Sequence, residues 1–349
     1  MNDRDITRMR SWNPPSHWLR IATLDAHTGG EPLRIVIDGF PELNGSTILE
    51  KRRDAQLRYD HLRKAIMLEP RGHRDMYGCI IVPPVAPGSD FGVLFTHAEG
   101  YSTMCGHGII AVSMVAVKTG LVSPTEPETM IRIDTPAGLV RSSVHVRDGM
   151  IGSVSFANVP SFVVTLDEIV AVPGLGDVRF DLAFGGAYYA YVAASDVGLR
   201  CDSQETDLLI RHGMAIKRAI MDQRTITHPI DADLGFLYGT IFVAASHDPA
   251  VHSRNVCIFA DGQVDRSPTG TGVSGRLAIH FKKGELKQHE PIVVESITGS
   301  RFTGWVEEIG NVGSFDAVVP RIEGNAFITG RHEFLVDPND PLRNGFLLQ

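Results

Sequence analysis

A four-residue frame, X-Gly-X-Gly, occurs at Cys105-Gly106-His107-Gly108 and again at Thr269-Gly270-Thr271-Gly272, and each copy opens an apolar, helix-like run. A helix that starts this way leaves its first backbone N–H groups without intrahelical partners, and glycine lets a ligand or another backbone come close. The two frames lie 164 positions apart, nearly half of the 349-residue chain. The surrounding order repeats loosely: strands, a frame, a long helix, more strands. This implies two similar lobes facing one small anionic substrate across a crevice. Coincidence of two Gly-x-Gly turns among 35 glycines is the competing explanation.

Short apolar runs separated by turn residues dominate the rest. Residues 34–38, 79–83, 92–95, 129–134, 152–156 and 189–194 are rich in Val, Ile and aromatics and are predicted strands. Helical periodicity is confined to four segments. Residues 47–66 start with a Thr-x-x-Glu capping pattern (Thr47, Glu50) and carry an apolar line through Ala55, Tyr59, Leu62 and Ile66. Residues 109–122 and 273–281 follow the two frames, and residues 206–221 align Leu209, Gly213, Ile216 and Ile220. Strands outnumber helices and many connections are too short for crossover helices. The expected class is therefore α+β (mixed α/β), with mixed, largely antiparallel sheets. The lobe boundary is expected near Asn158–Pro160. This gives a first lobe of residues 20–158, a second lobe of 159–329, and an N-terminal extension of 1–19.

Composition removes several classes of function. A net charge of −8 argues against nucleic-acid or anionic-membrane partners. The four cysteines (Cys79, Cys105, Cys201, Cys257) are too few and scattered for a disulfide framework, and no C-x-x-C pair suggests zinc. The first 20 residues are polar and lack an apolar core, so a secretory signal is not expected. No apolar stretch approaches the roughly 18 residues of a membrane span. A reducing cytoplasm is the expected location.

At the first frame, Cys105 sits where a helix begins. The partial positive charge there binds anions and is expected to lower a thiol pKa from its usual value of about 8.5. A thiolate beside a carboxylate-binding nest suits removal of a proton from the carbon next to that carboxylate. The alternative is a buried cysteine packed as a small hydrophobe. A cysteine hydrolase would need a separate histidine base and an oxyanion hole, for which no local signature exists. A zinc ion on Cys105 and His107 would lack further ligands at sensible spacing, so no metal is expected.

The second frame contains a literal G-x-G-x-x-G at Gly270, Gly272 and Gly275, with Glu295 closing an apolar run 20 positions later, as a dinucleotide site requires. Here, however, the polar stretch 261–268 separates the strand from the first glycine, and Pro268 cannot donate in a central strand. A second substrate-facing helix start fits better, with Gly270, Thr271 and Gly272 amides on the substrate. Asp265 would accept from a substrate ammonium, or simply cap a turn.

Together these stretches resemble the proline racemase family over nearly the whole chain. The matching residues are Asp25–Pro32, Met104–Gly108, Phe184-Gly185-Gly186, Asp261–Pro268, Gly270-Thr271-Gly272, Glu295–Gly299, Ile328-Thr329-Gly330 and Asp337-Pro338. The resemblance implies a diaminopimelate-epimerase-like fold of two pseudo-symmetric lobes, each with its sheet around a central helix, with residues of about 330–349 returning to the first lobe and the active site in the interlobe crevice. It also implies cofactor-independent chemistry, a homodimer and a cyclic amino acid as substrate. Racemases and epimerases of the family place one cysteine on each face of the alpha carbon. Cys105 matches the first; the second position holds Thr269, whose hydroxyl is far harder to ionise. This Cys/Thr pair resembles that of family members that dehydrate trans-3-hydroxy-L-proline to Δ1-pyrroline-2-carboxylate. Cys105 is then the expected base, with Thr269 orienting the leaving hydroxyl or relaying its proton. Gly106, His107, Asp265, Gly270 and Thr271 are the expected substrate contacts, the amides on the carboxylate and Asp265 with His107 on the ring nitrogen. Tyr77 and Phe184 would line the ring pocket or belong to the core, and the Thr28-Gly29-Gly30 turn is expected to be structural. The rival functions are 4-hydroxyproline 2-epimerase, proline racemase, and a non-catalytic imino-acid-binding protein.

Overall fold

The computed structural model describes residues 3–348; residues 1, 2 and 349 of the expected extension and tail lie outside the described residues. After helix α1 (Asp3–Arg10), the first half runs β1 (Leu19–Thr28), β2 (Glu31–Asp38), α2 (Ile48–Arg58), α3 (Asp60–Met67), β3 (Tyr77–Val82), β4 (Phe91–His97), α4 (Gly106–Lys118), β5 (Glu128–Thr135), β6 (Gly138–Arg147) and β7 (Met150–Ala157). The second half runs β8 (Ser161–Val172), β9 (Gly176–Phe184), β10 (Tyr188–Ala193), α5 (Thr206–Gln223), β11 (Leu237–Ala244), β12 (Ser253–Phe259), β13 (Gln263–Val264), α6 (Gly270–Lys282), β14 (Ile292–Glu295), β15 (Arg301–Val312), β16 (Phe315–Gly324) and β17 (Ala326–Val336).

Strand pairing repeats between the halves. In the first, β1–β2, β3–β4 and β5–β6–β7 pair antiparallel while β2–β3 and β4–β5 are parallel. In the second, β9–β10, β11–β12 and β14–β15–β16 are antiparallel while β10–β11 and β12–β14 are parallel. Parallel neighbours need a crossover, and the helices supply it at matching places: α2–α3 answers α5, and α4 answers α6. The second lobe closes into a ring because β16 also pairs with β8 and β8 with β9. The first is completed by β17, which lies along β1, and by the end of β16, which lies along β7. Only Asn325 separates β16 from β17, so nearly one strand passes from lobe to lobe. On this pairing we propose to divide the lobes between β7 and β8 and again at Asn325, a few residues before position 330.

Each ring encloses one helix. α4 is buried at every residue from Gly106 to Val117 and α6 from Gly270 to Ile279. A helix that is apolar on all sides has no stable place except a core. The single hydroxyl in the middle of α4, Ser113, is satisfied by Ser142 at 2.8 Å. Both helices begin earlier than their apolar runs, with the glycines of each frame forming the first turn.

One predicted helix divides. The capping box at Thr47 and Glu50 is present, worth about 1 kcal/mol. Tyr59 then leaves the helical region (φ −127°, ψ 13°) and packs edge-on to Phe40. The apolar line continues across the break because Leu62 and Ile66 of α3 enter the same small core as Ala55.

Candidate active site

The N-termini of α4 and α6 meet. A methyl group added to Gly106 would lie 2.5 Å from the Gly270 Cα, and one added to Gly270 would lie 2.7 Å from the Gly106 Cα. No side chain fits there, so the first-turn glycine of each frame is required by the other. The open N–H groups of two helix starts thereby converge, which is the geometry for holding a carboxylate. Cys105, Gly106, His107, Asp265, Thr269, Gly270 and Thr271 all line one small cavity.

Cys105 is the N-cap of α4. Its Sγ accepts from the Gly108 N–H at 3.2 Å and lies 3.2 Å from His107 Nδ1. A methyl on Gly108 would press on Phe95 at 2.6 Å and on that sulfur at 3.0 Å, so Gly108 makes room for the thiol as well. The expectation of a lowered thiol pKa is overturned. Burial pushes the Cys105 thiol well up, and the Asp265 and Glu31 carboxyls add to the rise, while the Gly108 amide and the Tyr77 hydroxyl pull it down. Desolvation outweighs the helix field because Cys105 is only 5% exposed. Burial likewise lowers the His107 pKa, against the opposing pull of Asp265 and the Pro32 carbonyl, so the imidazole is neutral.

Thr269 is the N-cap of α6 but does not cap it: its side chain makes no cap hydrogen bond. Its backbone stands at φ 66°, ψ 93°, an uncommon conformation for a β-branched residue, costing on the order of 1–3 kcal/mol. The main chain is held there by Thr269 N–H donating to Ser267 Oγ at 3.1 Å and by Val273 N–H donating to the Thr269 carbonyl at 2.7 Å. The hydroxyl is buried without a hydrogen-bond partner among the described residues.

Asp265 accepts from the Ser267 N–H at 2.7 Å, and its own N–H donates to the Cys257 carbonyl at 3.0 Å, which ties the aspartate to β12. Glu31 lies behind it. One oxygen of Glu31 accepts from the Arg266 N–H at 2.8 Å and the other is buried and has no hydrogen-bond partner among the described residues. Burial, reinforced by Asp265, holds that carboxyl well above the usual carboxylate range. The adjacent turn is fixed to α4 of its own lobe, Thr28 Oγ1 donating to the His107 carbonyl at 2.9 Å, and is joined to the other lobe by Thr298 Oγ1, which donates to the Gly29 carbonyl at 3.2 Å.

Tyr77 lines the cavity; Phe184 does not, and stacks in the core on Phe162 at 5.3 Å. Sequence reasoning missed Glu31, Cys257 and Tyr238. Glu31 sits in a motif with no chemical signature of its own, and the other two lie in apolar strands that read as core. The G-x-G-x-x-G has a packing explanation throughout. Methyl groups on Gly272 and Gly275 would collide with Ile241 at 2.4 Å and with the Tyr191 hydroxyl at 2.1 Å. Glu295 is bound to Arg254 and Ser246 instead of facing a ribose. Among the described residues no group of three or more His, Cys, Asp or Glu is placed to hold a metal ion.

The sequence from residue 23 to 347 matches the family described as proline racemase. The chain belongs to the proline racemase family. It is 47% identical over 345 residues, 98% of this chain and 97% of the other, to the trans-3-hydroxy-L-proline dehydratase of Colwellia psychrerythraea. It is 45% identical over 339 residues, 94% and 95% of the two chains, to the human trans-3-hydroxy-L-proline dehydratase. Among solved structures it is similar to a hydroxyproline epimerase from Agrobacterium vitis with bound trans-4-hydroxy-L-proline, with a TM-score of 0.91, 31% identity and 96% of each chain covered. The mixed α/β fold with few helices is that of this family.

Proposed function

We propose that this chain dehydrates trans-3-hydroxy-L-proline to Δ1-pyrroline-2-carboxylate and water, with Cys105 as the base at the alpha carbon. The observation that carries the reading is the unequal pair at one cavity: an ionisable thiol at one helix start and an alcohol at the other. The names of the relatives above support the same substrate.

The substrate carboxylate binds the convergent N–H groups of Gly106, His107, Gly270 and Thr271, and the ring ammonium sits at Asp265 and His107. That ammonium offsets the carboxylate repulsion which raises the Cys105 pKa, so binding favours the thiolate. Cys105 removes the alpha proton, and the charge spreads into a carboxylate already held by preorganised donors. In trans-3-hydroxy-L-proline the alpha hydrogen and the 3-hydroxyl lie on the same ring face. Cys105 therefore faces both the proton it takes and the group that leaves. Epimerisation would require a proton from the opposite face, where Thr269 is too weak an acid to supply one. The carbanion expels the 3-hydroxyl instead, and the enamine tautomerises to the imine.

Cofactor-independent turnover, a cytoplasmic location and a homodimer complete the proposal; light scattering on the purified protein reads the last. Incubation with trans-3-hydroxy-L-proline, trans-4-hydroxy-L-proline and L-proline tests the reaction. Imine trapped with o-aminobenzaldehyde from the first alone is the expected result. Optical rotation changing only with the other two would make the protein an isomerase. Tight binding with no turnover of any would make it a binding protein.

A further inference from the structure

The reading above leaves a hydroxide departing on the Cys105 side of the ring with no named group to receive it. The cavity wall there carries Tyr77 and Tyr238. The Tyr77 hydroxyl hydrogen-bonds Ser102 Oγ, and its ring meets the His107 ring edge-on at 4.9 Å. It also lies within reach of the Cys105 thiol. Tyr238 comes from β11 in the other lobe, packed between Phe259 and Tyr189 at centroid distances of 5.4 and 5.9 Å. Its side chain is buried, and its hydroxyl stands beside those of Tyr77 and Ser102 without completing a well-aligned hydrogen bond among the described residues. A buried phenol without a partner is costly unless a ligand completes it.

We propose that Tyr238, backed by Tyr77 and Ser102, is the acid that receives the 3-hydroxyl, a role that rests on the dehydratase reading. As the C3–O bond breaks, the Tyr238 O–H proton passes to the departing oxygen and water forms. Tyr77 reprotonates Tyr238, and the Cys105 thiol, carrying the former alpha proton, reprotonates Tyr77. The C–H and C–O bonds break, the ring C=C and the water O–H form, and Cys105 ends the turn as the thiolate with which it began. Tyr238 also gives the site its preference for a hydroxylated ring, since L-proline would leave that phenol without a ligand partner.

Tyr238→Phe keeps the ring and removes only the hydroxyl. It should lower kcat on trans-3-hydroxy-L-proline by about 10²-fold, the scale of one general acid. Fluoride release from trans-3-fluoro-L-proline needs no such acid and should stay within threefold of the parent (about half a log unit on a scale where one acid counts two or more). Tyr77→Phe should show the same split more weakly, and both variants should melt like the parent. Equal loss on both substrates would reduce Tyr238 to a packing residue, and no loss on either would remove it from the reaction. If the parent itself makes no imine from the hydroxylated substrate, the dehydratase reading and this role fall together. Imine from the parent with no split in the variants sinks this role alone.

Discussion

The two helix starts at the centre of the molecule look interchangeable in sequence and behave oppositely in structure. Threonine is among the better N-cap residues and cysteine is not, yet Cys105 caps α4 through Gly108 while Thr269 leaves α6 uncapped. Cys105 has ordinary extended backbone (φ −147°), whereas Thr269 is held at positive φ with its hydroxyl unpartnered among the described residues. Local stability would have turned that hydroxyl inward onto the helix. The difference teaches that position 269 is not optimised for helix capping: its backbone is held at positive φ and the residue lines the cavity.

The comparison is broken most directly at the thiol. Cys105→Ala should lower imine release by 10³-fold or more, on the order expected for loss of a positioned base. It should also cost about 1 kcal/mol in urea unfolding, because Gly108 loses its acceptor. Turnover surviving this change would dismiss the base. Thr269→Cys restores symmetry: dehydration should fall by about 10²-fold and epimerisation of trans-4-hydroxy-L-proline should appear by chiral chromatography. An unchanged product profile would place residue 269 off the reacting face.

The pH profile sharpens the contrast. A base must be deprotonated to act, and burial raises the Cys105 thiol, so kcat/KM should climb about tenfold per pH unit through neutrality into the alkaline range. The Thr269→Cys enzyme should add a falling alkaline limb to its epimerase activity, since its second thiol must stay protonated. A flat profile in the parent would mean that the titrating group is not this thiol. The smallest effect belongs to Thr269→Val, which keeps the shape and removes a hydroxyl that has no well-formed hydrogen bond among the described residues. Stability should change by less than about 1 kcal/mol, and dehydration should stay within about tenfold, less than the loss of an acid would cause. A larger fall in rate would give Thr269 an active part in expelling the hydroxyl.

Much of this site was legible because its constraints are local. Glycine where two backbones touch, and a cysteine before an apolar helix, leave marks within a few residues. The strands of residues 34–38 and 79–83 were legible for the same reason, their branched side chains filling a core. Tyr238 and Cys257 were hidden because a strand buried on both faces is apolar throughout, and a phenol or thiol aimed at a ligand looks like one aimed at a neighbour. The rise in the Cys105 pKa was also out of reach, since desolvation depends on residues from both lobes. The break at Tyr59 escaped because the apolar line ran on through it, and only packing against Phe40 ends α2 there.

The return of β17 to the first lobe also sets a timetable for the nascent chain. Leu19 at the start of β1 pairs with Val336, a partner made 317 residues later. At the usual pace of synthesis that interval is roughly 15–60 s. Throughout it, one edge of the first sheet stands open, and neither half of the molecule can shut until β16 and β17 have been made.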